Sequence, residues 1–549
     1  MWNRLRVVAL VTAVVGAASF STQRAETQVT SCFVTTANGD VQGVDNGSSC
    51  SFLGIPFAAP PIGSLRWKPP QPAASWAPAT LNATAAGMNC PAVVPAGSTT
   101  VTGNEDCLRL HVWSPNPAPL EPAPVIVWIH TGAFQGASAN LADSNPRKLV
   151  GRTGAIVVAA NYRLGPLGFL GHPALTAEDP TYPSSGNYGF LDQRAALAWV
   201  RDNIAAFGGD PNNVTIDGQS AGGHSVSFHV VSPGSASYFQ RAIMQSGYAS
   251  TRQPTLADAE SLGASFAVAV GCTDPAIVLT CMRSKTRNEV LLAFRNGQQE
   301  FTETGRVGWG PSVDGLEFPD QPRRLYERGV FNRVPVIIGA TRDEGWIYVD
   351  RSFPAGLTEE QYEAAVAREF GAAPAPTILQ MYPAADFPSP KHALSALAGD
   401  VEAVCEARRI ARLVDRTRTP VYSYSFEREV DAVAGDQVIH GLDRNFVFGN
   451  NFGPPSNYVL NGDDLALFSA VSSYWTRFAA TGDPNAGDGD LARWLRFRHP
   501  NGNGRGSGRH MVLDRPLREA KRLRETQCDY WDDFFLGSIA DAVPASYPQ

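Results

Sequence analysis

The sequence lacks the features of a metal protein or a nucleic-acid-binding protein. It contains no C-x-x-C pair and no compact cluster of histidine and cysteine, so we expect no metal site. The net charge is only −7 over 549 residues, which provides neither the basic surface that nucleic acids require nor a strongly acidic field. Binding to nucleic acid is therefore not expected.

Linkers, internal repeats and a second long apolar run are also missing. Stretches that contain proline and glycine are short and scattered, and a hydrophobic content of 44% is enough for a large core. We therefore predict one domain over residues 29–549. Beyond the N-terminus no segment is long enough to span a membrane.

The N-terminus has the pattern of a secretory signal peptide. Arg4 and Arg6 precede an apolar run from Val7 to Ala18, which is too short for a stable membrane anchor. We predict a signal peptide within residues 1–28, with Ala18 as one candidate cleavage position and a retained anchor as the alternative. The mature protein would then be secreted or periplasmic.

An even number of cysteines agrees with an oxidising compartment. Their spacing does not determine how they pair, because many connectivities are open to eight cysteines. The eight are Cys32, Cys50, Cys90, Cys107, Cys272, Cys281, Cys405 and Cys528.

Apolar runs rich in β-branched residues alternate with segments of helical periodicity. Short continuous runs of this kind are typical of strands that are buried on both faces of a parallel sheet. The alternation predicts a doubly wound α/β fold with its site at the carboxyl edge of the strands. The predicted strands are 125–129, 155–159, 241–245, 334–339 and 421–426, and the predicted helices include 192–204, 361–370 and 405–414.

Ser220 lies in the only G-x-S-x-G motif of the chain. The motif follows the apolar run Val214 to Ile216 and precedes a segment with helical periodicity. A strand, sharp turn and helix in this order present the serine hydroxyl above the sheet edge as a nucleophile. Chance matches to such a short motif are common, so the prediction depends on this context.

A serine nucleophile needs a base and an acid that orients the base. His440 is the best placed of the histidines after Ser220, because a short apolar run meets a glycine turn there; a surface or core histidine remains the alternative. The acid should end a strand between these two residues. Asp343 and Glu344 both follow the apolar run 336–338, and the pattern does not separate them.

Ester cleavage also needs amide donors for the developing oxyanion. Ala221, directly after the candidate nucleophile, supplies one. The loop His130 to Phe134 follows a predicted strand and could supply a second, although a plain tight turn is the alternative.

Further motifs occur in a fixed order along the chain. They are Phe52–Ala58, Glu105–Trp113, Asn161–Gly165, Gly186–Gly189, Phe207–Pro211 and Phe478–Pro484. Together with the motif around Ser220 they resemble the type-B carboxylesterase family, which includes carboxylesterases, cholinesterases and some secreted microbial lipases. The resemblance covers nearly everything after the predicted signal peptide.

The resemblance implies an α/β-hydrolase fold, with a large and mostly parallel central sheet and helices on both faces. It implies that Ser220 is the nucleophile, that Glu344 rather than Asp343 is the acid, and that His440 is the base. Gly132, Ala133 and Ala221 would give the oxyanion-hole amides. It also implies the disulfides Cys90–Cys107, Cys272–Cys281 and Cys405–Cys528, which leave Cys32 with Cys50.

Three positions depart from the family pattern. Gln219 replaces the usual glutamate before the nucleophile, and Thr131 replaces the first glycine of the oxyanion loop. The segment between Cys90 and Cys107 contains no aromatic residue, whereas cholinesterases use a tryptophan there to hold a quaternary ammonium. Choline esters are therefore not expected as preferred substrates.

The sequence thus predicts an exported serine esterase that acts on small-molecule esters without metal or organic cofactor. A lipase that acts on long acyl chains is the nearest enzymatic alternative. A cholinesterase-like binding module is the non-catalytic alternative, but such modules typically lose the nucleophile.

Overall fold

A computed structural model describes residues 32–94, 98–293, 308–430, 437–451, 458–487, 489, 491–498 and 508–540, with side chains to residue 535. The predicted signal peptide, residues 1–28, lies outside the described residues.

Sixteen strands occur in the described part of the chain. They are β1 Phe33–Thr36, β2 Gly39–Gln42, β3 Val44–Asp45, β4 Ser49–Pro56, β5 Thr80–Asn82, β6 Ala92–Val93, β7 Val101–Thr102, β8 Arg109–Pro115, β9 Ala123–Ile129, β10 Ile156–Ala160, β11 Gly209–Gln219, β12 Arg241–Gln245, β13 Val336–Thr341, β14 Val421–Phe426, β15 Arg509–Leu513 and β16 Arg518–Lys521.

Seventeen α-helices occur in the same described ranges, and a π-helical turn at Asp400–Val404 joins two of them. They are α1 Arg147–Thr153, α2 Gly165–Phe169, α3 Pro173–Thr176, α4 Tyr188–Asn203, α5 Ala221–Val231, α6 Leu256–Ala269, α7 Val278–Ser284, α8 Arg287–Leu292, α9 Pro322–Glu327, α10 Trp346–Ser352, α11 Glu359–Phe370, α12 Ala375–Met381, α13 Pro390–Gly399, α14 Cys405–Arg416, α15 Asp443–Phe448, α16 Gly462–Thr481 and α17 Glu525–Ala540.

The central sheet has 11 strands in the order β16-β15-β14-β13-β12-β11-β9-β10-β8-β4-β3. The strands from β15 to β10 in this order run parallel to their neighbours. Antiparallel pairs occur only towards the two edges, at β15–β16, β10–β8, β8–β4 and β4–β3. The predicted α/β fold with a mostly parallel sheet is confirmed.

Each central strand supplies two separate cores, because successive side chains of a strand point to opposite faces. In β9, Val127 belongs to a cluster that includes Leu197 of α4 and Phe228 of α5. Its neighbour Trp128 belongs to a second cluster, with Trp475 of α16. Helices therefore cover both faces, as the apolar strands predicted.

A third core lies outside the sheet, among α10 to α13 and α17. Tyr362, Leu397 and Trp531 are buried in it. Gly345 and Gly399 allow this helical layer to approach the end of β13. A Cβ on Gly345 would lie 2.2 Å from the carbonyl oxygen of Ser395, so the backbones touch there.

Four disulfides join all eight cysteines, as Cys32–Cys50, Cys90–Cys107, Cys272–Cys281 and Cys405–Cys528. The last three are the pairs that the family resemblance implies, and Cys32–Cys50 is the pair that they leave. The last one spans 123 residues and ties α17 to the start of α14. In the part of the chain that the structure describes, no helix combines the length and the apolar character needed to cross a membrane.

Candidate active site

Ser220 occupies a sharp turn between β11 and α5. Its backbone has φ 59° and ψ −123°, a conformation that L-residues rarely adopt. Such a conformation costs about 1–3 kcal/mol and persists only when the surroundings enforce it. The amide of Ser220 donates to the carbonyl oxygen of Gln245 at 2.8 Å, which ties the turn to the end of β12.

Close backbone packing enforces this turn. A Cβ on Gly222 would lie 2.0 Å from the carbonyl oxygen of Ile129, and a Cβ on Gly247 would lie 1.9 Å from that of Ser220. Real Cβ atoms do not approach an oxygen so closely, so only glycine fits at both positions. Gly222 of the motif and Gly247 after β12 are therefore required by the contacts of the turn.

Glu344 lies in the turn after β13 and is 1% exposed. Its Oε1 accepts the amide of Thr341 at 2.6 Å, and its Oε2 lies 2.5 Å from Nδ1 of His440. Burial alone would raise the pKa of Glu344, but the positive charge of protonated His440 and these hydrogen bonds lower it overall. The carboxylate is thus kept ionised beside the imidazole.

Asp343 has a different set of contacts from its neighbour. Its Oδ2 accepts the amide of Val438 at 2.8 Å, and its own amide donates to the carbonyl oxygen of Val438 at 3.0 Å. The structure therefore separates the two carboxylates that the sequence left open: Glu344 contacts the imidazole, and Asp343 holds the segment that precedes it.

His440 follows the short segment that Asp343 holds. An ionised carboxylate can only accept, so the proton between Glu344 and His440 lies on Nδ1, and in the neutral imidazole this leaves a lone pair on Nε2. The side-chain nitrogen of Gln219 lies 3.2 Å from that Nε2 and donates to it. The ring of Tyr348 lies 5.8 Å away, centre to centre.

The candidate oxyanion loop follows β9. Gly132 and Ala133 have φ of 113° and 54°, so the loop turns sharply back on itself. Thr131, which departs from the family pattern, is not among the residues with positive φ, so a glycine is not required there. Ala221 begins α5, where an amide has no partner within the helix.

One small cavity brings most of the expected residues together. Ser220, Glu344, His440, Ala133 and Ala221 all line it, whereas Gly132 does not. Four further residues of its lining were missed from the sequence, namely Ser246, Tyr348, Glu402 and Ala403. Ser246 directly follows β12 and could have been found as another strand end. The other three lie on helical segments that carry no sequence signal for a site.

A buried carboxyl group lies on β11 just before the turn of Ser220. Asp217, three residues before Ser220 on β11, is fully buried, and burial raises its pKa to about 8. The side-chain amide of Gln245 donates to it at 2.7 Å, which opposes the shift only in part. The group is therefore largely protonated at neutral pH.

Comparison with known proteins identifies the family. The sequence profile of the Carboxylesterase family matches residues 30–531. This chain belongs to the carboxylesterase family. The carboxylesterase is 34% identical over 477 residues to a fumonisin B1 esterase from Sphingopyxis macrogoltabida, with 84% of each chain covered. It is 31% identical over 551 aligned residues to a cholinesterase from Mus musculus, with 91% of this chain and 86% of that relative covered.

These matches confirm the resemblance to type-B carboxylesterases that the ordered motifs indicated. The carboxylesterase is a carboxylic ester hydrolase. Its fold, with a mostly parallel sheet between two helical layers, is that of the α/β-hydrolases.

Proposed function

We propose that this carboxylesterase is an exported serine hydrolase that cleaves esters through an acyl-enzyme. Ser220 is the nucleophile, His440 the base, and Glu344 the acid that orients the base. The observation that supports this proposal is that all three side chains, which come from three different strand ends or loops, line one cavity. The 2.5 Å contact between Glu344 and His440 gives the base its tautomer.

In acylation, Oγ of Ser220 attacks the ester carbonyl carbon while Nε2 of His440 takes the hydroxyl proton. The carbonyl oxygen becomes an oxyanion, which the amides of Gly132, Ala133 and Ala221 stabilise. When the tetrahedral intermediate collapses, the alcohol oxygen leaves and receives the proton from Nε2. The acyl group then remains on Ser220.

Gln219 forms a hydrogen bond with Nε2 of His440, the nitrogen that must accept the proton of Ser220. Nε2 of neutral His440 has one lone pair, and the amide of Gln219 donates to it at 3.2 Å. Acylation therefore requires His440 to exchange this hydrogen bond for one from the hydroxyl of Ser220. In the meantime this hydrogen bond holds the imidazole in its orientation.

In deacylation, His440 removes a proton from a water molecule, whose oxygen attacks the acyl carbon. The second tetrahedral intermediate collapses with Ser220 as the leaving group, and His440 returns the proton to its Oγ. The products are a carboxylic acid and the free enzyme. Every proton in this cycle passes through Nε2, so the cycle needs no metal or organic cofactor.

The acyl length of the substrate distinguishes this proposal from the lipase alternative. An esterase should hydrolyse dissolved short-chain p-nitrophenyl esters without needing an emulsion. A preference for emulsified long-chain esters would instead support the lipase alternative.

Covalent labelling tests the nucleophile directly. An organophosphonate should modify the protein once, and peptide mass spectrometry should place the label on Ser220. The Ser246→Ala variant is a matched control, because Ser246 lines the same cavity but does not precede a helix. Its label should remain on Ser220. A label on any other serine would contradict the proposal.

Export rests on the N-terminal pattern and on the four disulfides, which require an oxidising compartment. N-terminal sequencing of protein recovered from the medium or periplasm should give a start between residues 19 and 29. Thiol titration of the unfolded, unreduced protein should find no free cysteine. A protein that retains Met1 and reduced cysteines would contradict export.

A further inference from the structure

The loop that follows β9, residues 130–139, has a strained backbone. Besides Gly132, three of its residues have positive φ, namely Ala133 at 54°, Phe134 at 59° and Ala137 at 63°. Residues other than glycine rarely adopt this conformation, because Cβ then crowds the backbone. It persists only where the surrounding structure enforces it. The shape of this loop therefore depends on the contacts that hold it.

The same loop has amides without a protein acceptor. The carbonyl oxygen of Gly132 closes the turn by accepting the amides of Gln135 and Gly136, both at 2.9 Å. Among the described residues, however, no atom accepts the amides of Gly132 and Ala133 themselves. Ala133 lines the cavity together with Ser220. Amides of this kind beside a nucleophile are the donors that an oxyanion hole uses.

Tyr162, two residues after β10, contacts the first residue of this loop. The strands β9 and β10 are parallel neighbours, so their carboxyl ends lie side by side. The hydroxyl of Tyr162 donates to the carbonyl oxygen of His130 at 3.0 Å, and the two rings stack with their centres 4.2 Å apart. Tyr162 is fully buried, and burial raises its pKa, so the hydroxyl keeps its proton and remains a donor.

His130 fixes the start of the loop through both its side chain and its backbone. A carbonyl oxygen can only accept, so Nδ1 of His130 carries a proton and donates to the carbonyl oxygen of Thr131 at 2.8 Å. Burial lowers the pKa of His130 to about 4, which keeps the ring neutral at neutral pH. A Cβ on Gly222 would lie 3.1 Å from the carbonyl oxygen of His130, so this oxygen packs against α5. The group that Tyr162 holds therefore connects the loop with the helix that begins at Ala221.

Two further contacts attach the loop to the segment around Tyr162. The amide of Gly165 donates to the carbonyl oxygen of Phe134 at 2.7 Å, and the amide of Ala139 donates to Oδ1 of Asn161 at 2.9 Å. The ring of Phe134 is buried and meets that of Tyr162 edge to face, with 6.5 Å between the centres. Of these contacts, the hydroxyl bond of Tyr162 is the one that a substitution can remove while both rings stay in place.

We propose that Tyr162 is a positioning residue that holds the amides of Gly132 and Ala133 where they stabilise the oxyanion. This inference rests on the proposed function of the same cavity. The hydroxyl acts through the carbonyl oxygen of His130 and contacts no reacting atom. Hydrogen bonds to an oxyanion are stronger than those to the ester carbonyl, so a displaced amide costs more in the transition state than in substrate binding. Loss of the hydroxyl should therefore lower kcat rather than raise KM.

Two variants separate this role from a general effect on folding. Tyr162→Phe removes the hydroxyl and keeps the stacked ring. Tyr362→Phe is the matched control, because the hydroxyl of Tyr362 is also buried and donates to a backbone carbonyl oxygen, that of Tyr382, at 2.8 Å. Tyr362 belongs to the third core and is not among the described residues that line the cavity. Both variants should lose a similar amount of stability in thermal melts, and only Tyr162→Phe should affect catalysis.

Steady-state rates measure the effect on catalysis. With p-nitrophenyl butyrate, Tyr162→Phe should lower kcat about tenfold and leave KM within about twofold. The acidic limb of kcat/KM should stay in place, because the contacts of Tyr162 are with the loop and not with His440. Tyr362→Phe should leave both kcat and KM within about twofold of the wild-type values.

A trifluoromethyl ketone tests the stabilisation of the oxyanion directly. Oγ of Ser220 adds to the carbonyl carbon of 1,1,1-trifluorohexan-2-one, Nε2 of His440 takes the hydroxyl proton, and the ketone oxygen becomes an oxyanion. The inhibition constant should rise about tenfold in Tyr162→Phe, in parallel with the fall in kcat. In Tyr362→Phe it should not change.

Hydrogen exchange measures the loop without any turnover. The amides of Gln135 and Gly136 close the turn, so their exchange reports on its opening. Mass spectrometry of a peptide that covers residues 130–139 should show exchange about fivefold faster in Tyr162→Phe than in the wild-type protein. Tyr362→Phe should leave the exchange of this peptide unchanged.

The outcomes separate this inference from the proposed function. If esters are hydrolysed and the two variants have the same kcat and the same inhibition by the ketone, the inference is wrong and the esterase proposal stands. A raised KM with unchanged kcat, or a shifted acidic limb, would also overturn the inference, because Tyr162 would then act on substrate binding or on the base. If no ester is hydrolysed but exchange of the loop depends on Tyr162, the support of the loop stands and the esterase proposal fails. Equal exchange of the loop in the two variants would overturn the inference in either case.

Discussion

The two residues that we propose to exchange a proton are held in place by different means. Ser220 lies in a turn enclosed by backbone, where a single methyl group on Gly222 would meet a carbonyl oxygen at 2.0 Å. His440 follows a segment with one backbone hydrogen bond to the end of β13, from the amide of Asp343 to the carbonyl oxygen of Val438. Its other attachments are through side chains, by Asp343 to the amide of Val438 and by the contacts of His440 to Glu344 and Gln219.

Because of this difference, substitutions near His440 and near Ser220 should have different effects. A change of side chain near His440 alters the charge and hydrogen bonds of the base and leaves the backbone in place. A change near Ser220 must move the backbone itself, because interiors are close-packed and two adjacent strands meet there. We therefore expect that substitution can tune His440, whereas the turn of Ser220 tolerates little change in shape.

Ser220→Ala should have the largest effect on turnover and almost none on the fold. Alanine keeps the shape of the turn and removes only the hydroxyl, so kcat should fall by about 10⁶-fold while the unfolding temperature stays the same. Hydrolysis of p-nitrophenyl butyrate and thermal melts measure the two quantities. An active Ser220→Ala protein would refute the assignment of the nucleophile.

Glu344→Gln should lower kcat by about 10⁴-fold, because an amide oxygen cannot offer the charge that orients and stabilises protonated His440. Asp343→Asn is the matched comparison. Its amide oxygen can still accept from Val438, so its loss should be within about tenfold. If the ranking of the two variants is reversed, Asp343 rather than Glu344 acts on the base.

Gly222→Ala should break the nucleophile turn without touching a reacting group. The added methyl group would overlap the carbonyl oxygen of Ile129, so the free energy of unfolding should fall by about 3 kcal/mol. Gly462→Ala is the control, since a Cβ there meets nothing within 4 Å. Urea unfolding measures both, and equal stabilities would show that the turn can adapt.

Gln219→Glu should have the smallest effect, on pH dependence alone. A carboxylate at this position cannot donate to Nε2 of His440, but it accepts from protonated Nε2 and so favours the imidazolium. The acidic limb of kcat/KM should therefore move towards higher pH, by about one pH unit. An unmoved limb would show that position 219 has no electrostatic influence on the base.

Much of the fold could be predicted from local patterns. Strands β12 and β14 have the bounds that their apolar runs predicted, and the runs before Ser220 and Glu344 end in strand-edge turns. Periodicity succeeds here because a parallel sheet buried on both faces leaves continuous apolar runs. Boundaries were less accurate for α4, which begins at Tyr188 rather than at residue 192.

The site was predictable only in part, for a physical reason. A strand-end serine or carboxylate is marked by its local sequence, but Asp343 and Glu344 differ only in what lies opposite them. That distinction depends on the distant segment around His440. Gln219 departs from the family pattern, yet its contact with His440 joins residues 221 positions apart and has no local signal. The turn that places Glu402 in the cavity had none either.

The buried carboxyl group of Asp217 links stability to pH in the opposite sense to turnover. Its pKa in the folded protein is about 8, whereas an aspartate in an unfolded chain titrates near pH 4. Folding therefore takes up a proton at Asp217 over this interval, so the contribution of this group to stability falls as pH rises through it. Ester cleavage by the proposed mechanism needs a neutral base and so favours the same rise in pH. A change of pH that favours turnover thus acts against the stability contributed by a side chain three residues from Ser220.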